Sequence, residues 1–417
     1  MQHGTPSAPT LTGAWLEGAN ALLDDAIAMR RRIHAHPELG LHLPVTTATV
    51  RESLQGLDVA IDSGPSTSGL IVTLQGRASG GAGRTVLLRG DMDALPMPED
   101  TGLPFASTQA NCMHACGHDS HTAMLAGAVK LLHANRDRLQ GTVKFMFQPG
   151  EEGHFGALRM IEDGLLDKGP KPDGAFAIHI TPNSRSGVFN SRHGPFMAST
   201  DTVDVTIWGR GGHASAPHLA LDPVPIACEI VNALQNMITR RINAFEPVVL
   251  TVAKIAAGTT SNVIPETAHM LGTLRALSEG SRKLAKTLIV QVAEKIAEAH
   301  GARAEVTLTD GYAVTVNDGR MVDLAAATAR ELLGEGGYQP MSTPLMGAED
   351  WAYVLHRIPG CMFFLGVAPE GTHHHHAAPC HSNRMVLNES AMAHGIALYA
   401  GVAERFLAHG FGAHGSG

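Results

Sequence analysis

The sequence predicts an α/β domain interrupted by a smaller α+β domain, and three features carry that expectation. Strongly apolar strand segments, Thr85–Gly90, Thr142–Gln148 and Ala175–Ile178, each run into acidic or imidazole side chains, as strands do in sheets whose ligands gather at the carboxyl ends. Near residue 195 the pattern becomes strand-helix-strand twice over, the split βαβ arrangement. After residue 311 the first style resumes. A chain of 417 residues is too long for one ordinary core, so residues 15–194 and 312–408 are expected to form one domain and 195–311 an insertion.

Taken in order, residues 1–14 are rich in Pro, Thr and Gly and are expected to be loosely held. From Trp15 a helical pattern with Leu16, Leu23, Ile27 and Ile33 runs to His36, where Pro37 stops it. Val59–Ile61 and Gly69–Gln75 read as strands and Gly76–Gly83 as a turn. Thr85–Gly90 is a buried strand that delivers Asp91 and Asp93 at its end. His114-Ala-Cys-Gly-His118-Asp-Ser-His121 precedes a helix that keeps Leu125, Ala128, Val129 and Leu132 on one face. Strand Thr142–Gln148 leads into Glu151-Glu152, and strand Ala175–Ile178 ends on His179.

In the insertion Thr202–Trp208 alternates as a strand, and Asp222-Pro223 opens a helix carrying Ala227, Val231, Leu234, Ile238 and Ile242. Strands Val248–Ala256 and Ala268–Leu274 follow. Ser278 caps a helix with Leu284, Leu288, Val292 and Ile296 on one face, and Ala304–Leu308 closes the unit. Helix Met321–Leu333, strand Met362–Leu365, the loop bearing His381 and a helix near Ser390–Ala408 complete the chain. The tail after Phe406 reads as mobile.

Composition narrows the partners. With 44% hydrophobic and 17% charged residues the chain is globular, and 31 basic against 39 acidic residues give −8 with no basic stripe, so nucleic acid is not expected. No apolar run reaches membrane-spanning length and the start lacks a secretory signal, so a cytoplasmic protein without a membrane partner is expected. Cys112, Cys116, Cys228, Cys361 and Cys380 are odd in number and unevenly spaced, unlike a disulfide framework. Cys228 and Cys361 read as small core residues.

The octapeptide His114–His121 suggests metal. In an extended segment Cys116 and His118, two apart, point the same way and could serve one ion. Asp93, Glu151, Glu152 and His179, all at strand ends, should converge on the same crevice. Plainer readings stand beside this one: a His-rich loop, a solvated acidic turn, a core histidine at 179, and a capping role for Asp119. His121 reads as a helix-surface residue, and His373–His376 as a solvated, non-catalytic loop.

Arg31-Arg-Ile-His-Ala-His-Pro-Glu38, Arg89-Gly-Asp-Met-Asp-Ala-Leu-Pro96, Ala115-Cys-Gly-His-Asp119, Phe147-Gln-Pro-Gly-Glu-Glu152, Gly211-Gly-His213, Asn262-Val-Ile-Pro265, Gly347-Ala-Glu-Asp350 and Cys380-His381 run in order over nearly the whole chain. In these segments the chain resembles the metal-dependent aminoacylase and carboxypeptidase family, in the branch of hippurate hydrolases, N-acyl-amino-acid amidohydrolases and auxin-conjugate hydrolases. The resemblance implies a dinuclear-metallopeptidase catalytic domain, a mixed sheet flanked by helices, with an inserted ferredoxin-like lid and dimerisation domain. It implies two divalent metal ions held by Cys116, His118, Glu152, His179 and His381, with Cys116 as bridging thiolate. The thiolate favours zinc over manganese or cobalt. The wider family's strand-end motif His-x-Asp is here Asp91-Met-Asp93, so Asp91 is not expected to be a ligand. Asp93 is expected to orient His118 from behind the metal, with Asp119 in a similar supporting place.

Adjacent side chains diverge, so one carboxylate can hold metal while its neighbour faces a water, and the resemblance implies Glu152 as the ligand and Glu151 as the general base. By the same resemblance His213 donates to the oxyanion, and Asn262 and Arg275 grip a substrate carboxylate. Taken alone, His213 could be a loop residue and Arg275 a surface ion-pair partner. The expected activity is hydrolysis of an N-acyl amino acid, hippurate-like, or of a dipeptide, by a homodimer. A metallo-dipeptidase or carboxypeptidase with the same site is the rival enzyme. A non-catalytic zinc scaffold built on Cys112, Cys116, His118 and Cys380 is the rival from another class. The continuation His381-Ser-Asn-Arg-Met-Val-Leu-Asn-Glu389 departs from the more acidic, aromatic one of this branch and leaves the substrate preference open.

Overall fold

The computed structural model describes residues 13–79 and 82–412. Residues 1–12 of the expected loose start, Gly80 and Gly81 of the expected turn, and residues 413–417 of the tail lie outside the described residues. Gly13 and Ala14 already belong to a helix, and Phe406 to His409 are still helical, so both ends are more regular than composition suggested.

The chain opens with helices α1 (Gly13–Ala21), α2 (Leu23–Ala35) and α3 (Pro44–Ser53), then strands β1 (Ala60–Ser63), β2 (Leu70–Gln75) and β3 (Thr85–Asp91). The single helix expected from Trp15 is therefore two, with Leu22 between them. α3 escaped the sequence pattern because Thr and Val dominate it. Both are poor helix formers, although Pro44 at its first turn presets the helical backbone. Next come α4 (His118–Ala134), β4 (Thr142–Gln148), α5 (Gly156–Glu162), β5 (Gly174–Thr181), β6 (Phe189–Ser191) and β7 (Gly194–Met197). β8 (Asp201–Trp208), β9 (Gly212–His213), α6 (Pro223–Arg241), β10 (Val248–Ala257), β11 (Val263–Ile264), β12 (Thr267–Ala276), α7 (Glu279–Ala299), β13 (Arg303–Asp310) and β14 (Thr315–Asn317) follow. The chain finishes with α8 (Gly319–Leu333), β15 (Tyr338–Pro340), α9 (Ala352–Leu355), β16 (Gly360–Gly366) and α10 (Met392–His409).

Two compact units result. One takes the chain up to Gly194, Val316–Ser342 and Tyr353 onward; the other takes Pro195–Thr315 and Thr343–Ala352. In the first unit eight strands form a mixed sheet in the order β1-β2-β4-β3-β5-β16-β6-β15. β3 runs parallel to β4 and β5, and β5 parallel to β16, so their carboxyl ends lie along one edge. Nearly every residue of these four strands is buried, as a sheet covered on both faces requires. β5 is longer than expected, so His179 sits within it, opposite Phe364 of β16, rather than beyond its end.

α4 packs against α2, α10, β3 and β5. Leu125, Ala128, Val129 and Leu132 are all buried, as expected, but so is the rest of the helix through Val129. His121 is therefore not the surface residue it resembled. The helix comes so close to β3 that a side chain at Gly90 would meet the His121 carbonyl at 2.8 Å.

The second unit holds a four-stranded antiparallel sheet, β10-β12-β8-β13, with α6 and α7 packed on it, a ferredoxin-like topology. Asp222 and Ser278 cap the two helices, accepting from Val224 N and Ser281 N at 3.0 Å each. Cys228 falls outside the buried stripe of Ile226, Ala227, Ile230 and Leu234 and is exposed, so it is not a core residue. On α7 the buried stripe is Ala285, Leu288, Ile289 and Ala293, one position out of phase with the expected face, and Leu284 is exposed. Cys361 is buried in β16 as expected. Among the described residues no helix is long and apolar enough to cross a membrane.

A buried ionic cluster ties α2 to the first turn of α4. Asp119 Oδ2 accepts from Arg30 Nε at 2.8 Å and His34 Nδ1 at 2.7 Å, while His34 Nε2 meets Glu99 Oε1 at 3.1 Å. With a carboxylate at each ring nitrogen, His34 donates from both and is an imidazolium. Burial opposes that charge, but Asp119 and Glu99 outweigh it and raise its pKa from 6.5 to about 9. Asp119 is thus an ion-pair partner and not the helix cap, a position held by Gly117. Because the folded pKa of His34 is raised, its contribution is complete below 6.5 and disappears as pH climbs through 9, a change on the order of 3 kcal/mol. Thermal melts of wild type and His34→Gln over that range should differ most at the acid end and converge at the alkaline end; a gap independent of pH would contradict the pairing.

Candidate metal centre

The centre is built where β3, β4 and β5 end beside the start of α4. The expected extended run through Cys116 and His118 is not present. Gly117 adopts φ +83° as the N-cap of α4, and this left-handed turn brings the flanking side chains together. An alanine there would be strained, and its Cβ would sit 2.4 Å from Ile180 Cγ1.

Around the turn two sets of donor atoms overlap. Cys116, His118 and His179 form one set whose ligand atoms all lie within 4.8 Å of one another, and Cys116, Glu152 and His381 form a second under the same limit. A third set joins His118, Glu151 and Glu152. Cys116 Sγ lies 3.3 Å from His179 Nε2, and Glu152 Oε1 lies 3.1 Å from His381 Nε2. The five expected ligands therefore meet in one place, drawn from positions 116 to 381 of the chain, and Glu151 stands beside them, buried.

Hydrogen bonds aim the ligand atoms. His118 Nδ1 donates to the Asp93 carbonyl at 2.9 Å, and His179 Nδ1 donates to the Ile180 carbonyl at 2.6 Å, so both rings present Nε2. The buried Nε2 of His118 has no hydrogen-bond partner, which is what a position for a cation requires. Asp93 thus reaches His118 through its carbonyl, with its Oδ1 3.5 Å from the same ring nitrogen. The carboxylate also accepts from Glu151 N and Glu152 N, each at 3.0 Å.

A second layer was not foreseen. Asp91 Oδ2 pairs with Arg89 Nη1 at 2.8 Å and lies 3.3 Å from His118 Nε2, while Asp91 Oδ1 meets His121 Nδ1 at 2.6 Å. His121 Nε2 accepts from Ile180 N at 2.8 Å, so its proton is on Nδ1, toward Asp91. His121 stacks edge-on to His179 with centroids 4.6 Å apart. The sequence did hold a signal: His121 lies three residues after His118, on the same helical face.

Charge prepares the pocket for cations. Burial lowers the pKa of His118, but Asp91 and Asp93 overcome it and hold the imidazolium up to about 10. Contact with the Cys380 thiol, burial, and the charges of Glu152 and Glu151 raise Cys116 well above the usual thiol range. Burial raises Glu152, yet His381 and His118 bring its carboxyl below the ordinary value. The donor set of thiol, imidazole and carboxylate fits borderline divalent ions such as zinc.

The remaining candidates lie in the second unit. β9 pairs with β11, placing His213 opposite Val263, and Ala214 N donates to Asn262 O at 3.1 Å, so His213 and Asn262 are neighbours. His213 is exposed, and its Nδ1 accepts from Ser215 N at 3.1 Å, which leaves the neutral ring's proton on Nε2. Arg275 is not in this ladder; its Nη1 donates to Met346 O at 2.9 Å. His373–His376 form an exposed turn, with His374 half-buried. Cys112 opens instead on a cleft with His36, Glu38 and His42, and among the described residues it joins no metal-compatible group with Cys116, which removes the closed zinc site of the scaffold rival.

Comparison with known proteins agrees with this geometry. Residues 87–405 match the model of peptidase family M20/M25/M40. Thermostable carboxypeptidase 1 of Saccharolobus solfataricus is 38% identical over 387 residues, covering 92% of this chain and 95% of that protein. N-acetylcysteine deacetylase of Bacillus subtilis is 38% identical over 355 residues, covering 84% and 90%. The crystal structure of a Bacillus subtilis dinuclear metal-binding peptidase from the M20 family superposes with a TM-score of 0.79 at 34% identity, covering 93% of this chain and 99% of that one.

Because His118 and Cys116 are held protonated in the chain without metal, cations must displace protons from both near neutral pH. Calorimetric titration with zinc in buffers of different ionisation enthalpy should give binding enthalpies that scale with the buffer, and an affinity that falls on acidification. Enthalpies that do not depend on the buffer would contradict the assignment.

Proposed function

This chain belongs to peptidase family M20/M25/M40, and on that footing we propose that it is a metal-dependent amidohydrolase that splits N-acyl amino acids into a carboxylic acid and an amino acid. The observation that carries the proposal is the pair of donor sets sharing Cys116, with Glu151 beside Glu152 and His118. Cys116, His118, Glu152, His179 and His381 would hold two divalent cations, zinc in preference to manganese or cobalt because of the thiolate. When bound, such ions supply Lewis acidity to the amide carbonyl and acidity to a water.

The chain's own groups do the rest. Glu151, fixed by its backbone bond to Asp93, takes the proton of the attacking water as the water oxygen bonds to the carbonyl carbon. The same carboxyl then gives that proton to the amide nitrogen as the C–N bond breaks and the amine leaves. His213, with its proton on Nε2, donates to the oxyanion of the tetrahedral stage. Asn262 and Arg275 grip the carboxylate of the substrate, for which the Arg fork is suited. Asp93 and Asp119 support the ligands, and the inserted unit serves as lid and as the contact of a homodimer.

A dipeptide differs from an N-acyl amino acid only in the amine on its acyl side. The 38% identity to a carboxypeptidase therefore keeps a metallo-dipeptidase or carboxypeptidase as the second reading, and the 38% identity to an N-acetylcysteine deacetylase favours the first. Zinc-loaded protein assayed against N-acetyl, N-benzoyl and indole-acetyl amino acids beside matched dipeptides, read as released amine, should favour the N-acyl compounds in kcat/KM. A preference for dipeptides would select the second reading. Glu151→Gln should keep its metal and lose about 10²–10⁴-fold in kcat; near wild-type turnover would remove Glu151 from the proposed role.

A further inference from the structure

Cys380 has no part in the centre described above, yet it borders that centre on two sides. It precedes His381, whose φ of +67° is uncommon for a residue with a side chain, and His381 N donates to Ala115 O at 2.8 Å. This bond clamps the Cys380 loop against the residue before Cys116. Cys380 Sγ lies 4.0 Å from Cys116 O and 3.9 Å from Ile180 O, which makes the two thiols neighbours. Cys116 is buried, whereas Cys380 is half-buried. The other cysteines are placed differently: Cys112 faces Glu38, Cys228 is exposed on α6, and Cys361 is buried in β16.

We propose that Cys116 and Cys380 are an oxidisable dithiol, a modification site at which a hydroperoxide joins the shared metal ligand into a disulfide and so releases the metal. The proposal rests on Cys116 being a ligand as described above. Cys380 Sγ attacks one oxygen of the peroxide and the O–O bond breaks, giving a sulfenic acid and water or an alcohol, with the thiol proton passing to the leaving oxygen. Cys116 Sγ then attacks the sulfenic sulphur and the S–S bond forms. The hydroxyl leaves as water with the proton of Cys116, or as hydroxide where Cys116 is a metal-bound thiolate. Two electrons pass from the two sulphurs to the peroxide. Metal binding requires the thiolate, so a Cys116 engaged in a disulfide no longer bridges the centre. A dithiol reductant reverses the change.

The test treats the zinc-loaded full chain with hydrogen peroxide, alkylates the remaining thiols, and digests without reductant. The expected product is a cross-linked peptide joining Cys116 to Cys380, two hydrogens lighter than its parts, together with a fall in bound zinc of at least half. Dithiothreitol should restore both thiols and the capacity for zinc. Recovery of both residues as alkylated thiols, their conversion to sulfinic or sulfonic acids without a cross-link, or a bond from Cys380 to Cys112 would overturn the proposal. In Cys380→Ser, the same peroxide treatment should form no cross-link to Cys116 and should leave most of the zinc bound, and a loss of zinc equal to wild type would also overturn it. A cross-link formed with zinc fully retained would leave the dithiol standing and refute the ligand role of Cys116.

Discussion

Asp93 accepts three hydrogen bonds that fix three functional groups at once. Its carbonyl takes the Nδ1 proton of His118, and its two carboxylate oxygens take the backbone N–H groups of Glu151 and Glu152. Hydrogen bonds to a charged acceptor are worth roughly 1.5–3 kcal/mol each, and here they act inside a buried pocket. The direction of a metal-facing imidazole, the placement of one acid among the donor atoms and the placement of its neighbour as a proton acceptor all depend on this residue. The parallel pairing of β3 with β4 and β5 makes it possible, since it delivers Asp93, Glu151 and His179 to one end of the sheet.

Much of this was legible in the sequence because buried parallel strands are written as unbroken apolar runs that stop at polar residues. Thr85–Asp91 and Thr142–Gln148 gave both the strands and the carboxylates beyond them. The alternation of strand and helix gave the ferredoxin-like insertion, with its caps at Asp222 and Ser278. What stayed hidden depends on contacts across the chain. His121 looked like a surface residue because helical spacing does not reveal that α4 is covered on every side by α2, α10, β3 and β5. For Asp119 a capping role stood open beside the supporting one because Arg30 and His34, its partners, lie 89 and 85 positions away. Cys228 and Leu284 were placed on the wrong side of their helices because an apolar stripe carries an uncertainty of about one position in phase.

The donor atoms sit inside a shell of fixed charge. Asp91 is held between Arg89, His121 and His118, and Asp119 between Arg30 and His34. Each buried carboxylate is paired, as burial demands. The buried atoms without a hydrogen-bond partner include Nε2 of His118 and Oε1 of Glu152, and these, with the cysteine shared by two donor sets, are places where a cation would complete the chemistry. The same crowding brings Cys380 Sγ to 4.0 Å from the Cys116 carbonyl, so a centre that relies on sulphur carries a second sulphur beside it.

The most direct measurement is anomalous X-ray diffraction from crystals of the zinc-loaded protein. The account predicts two zinc peaks that share Cys116 Sγ, each about 2.3 Å from it, one completed by His118 and His179 and the other by Glu152 and His381, with Glu151 coordinating neither. A single zinc enclosed by four protein ligands, or two peaks that bypass Cys116, would contradict it.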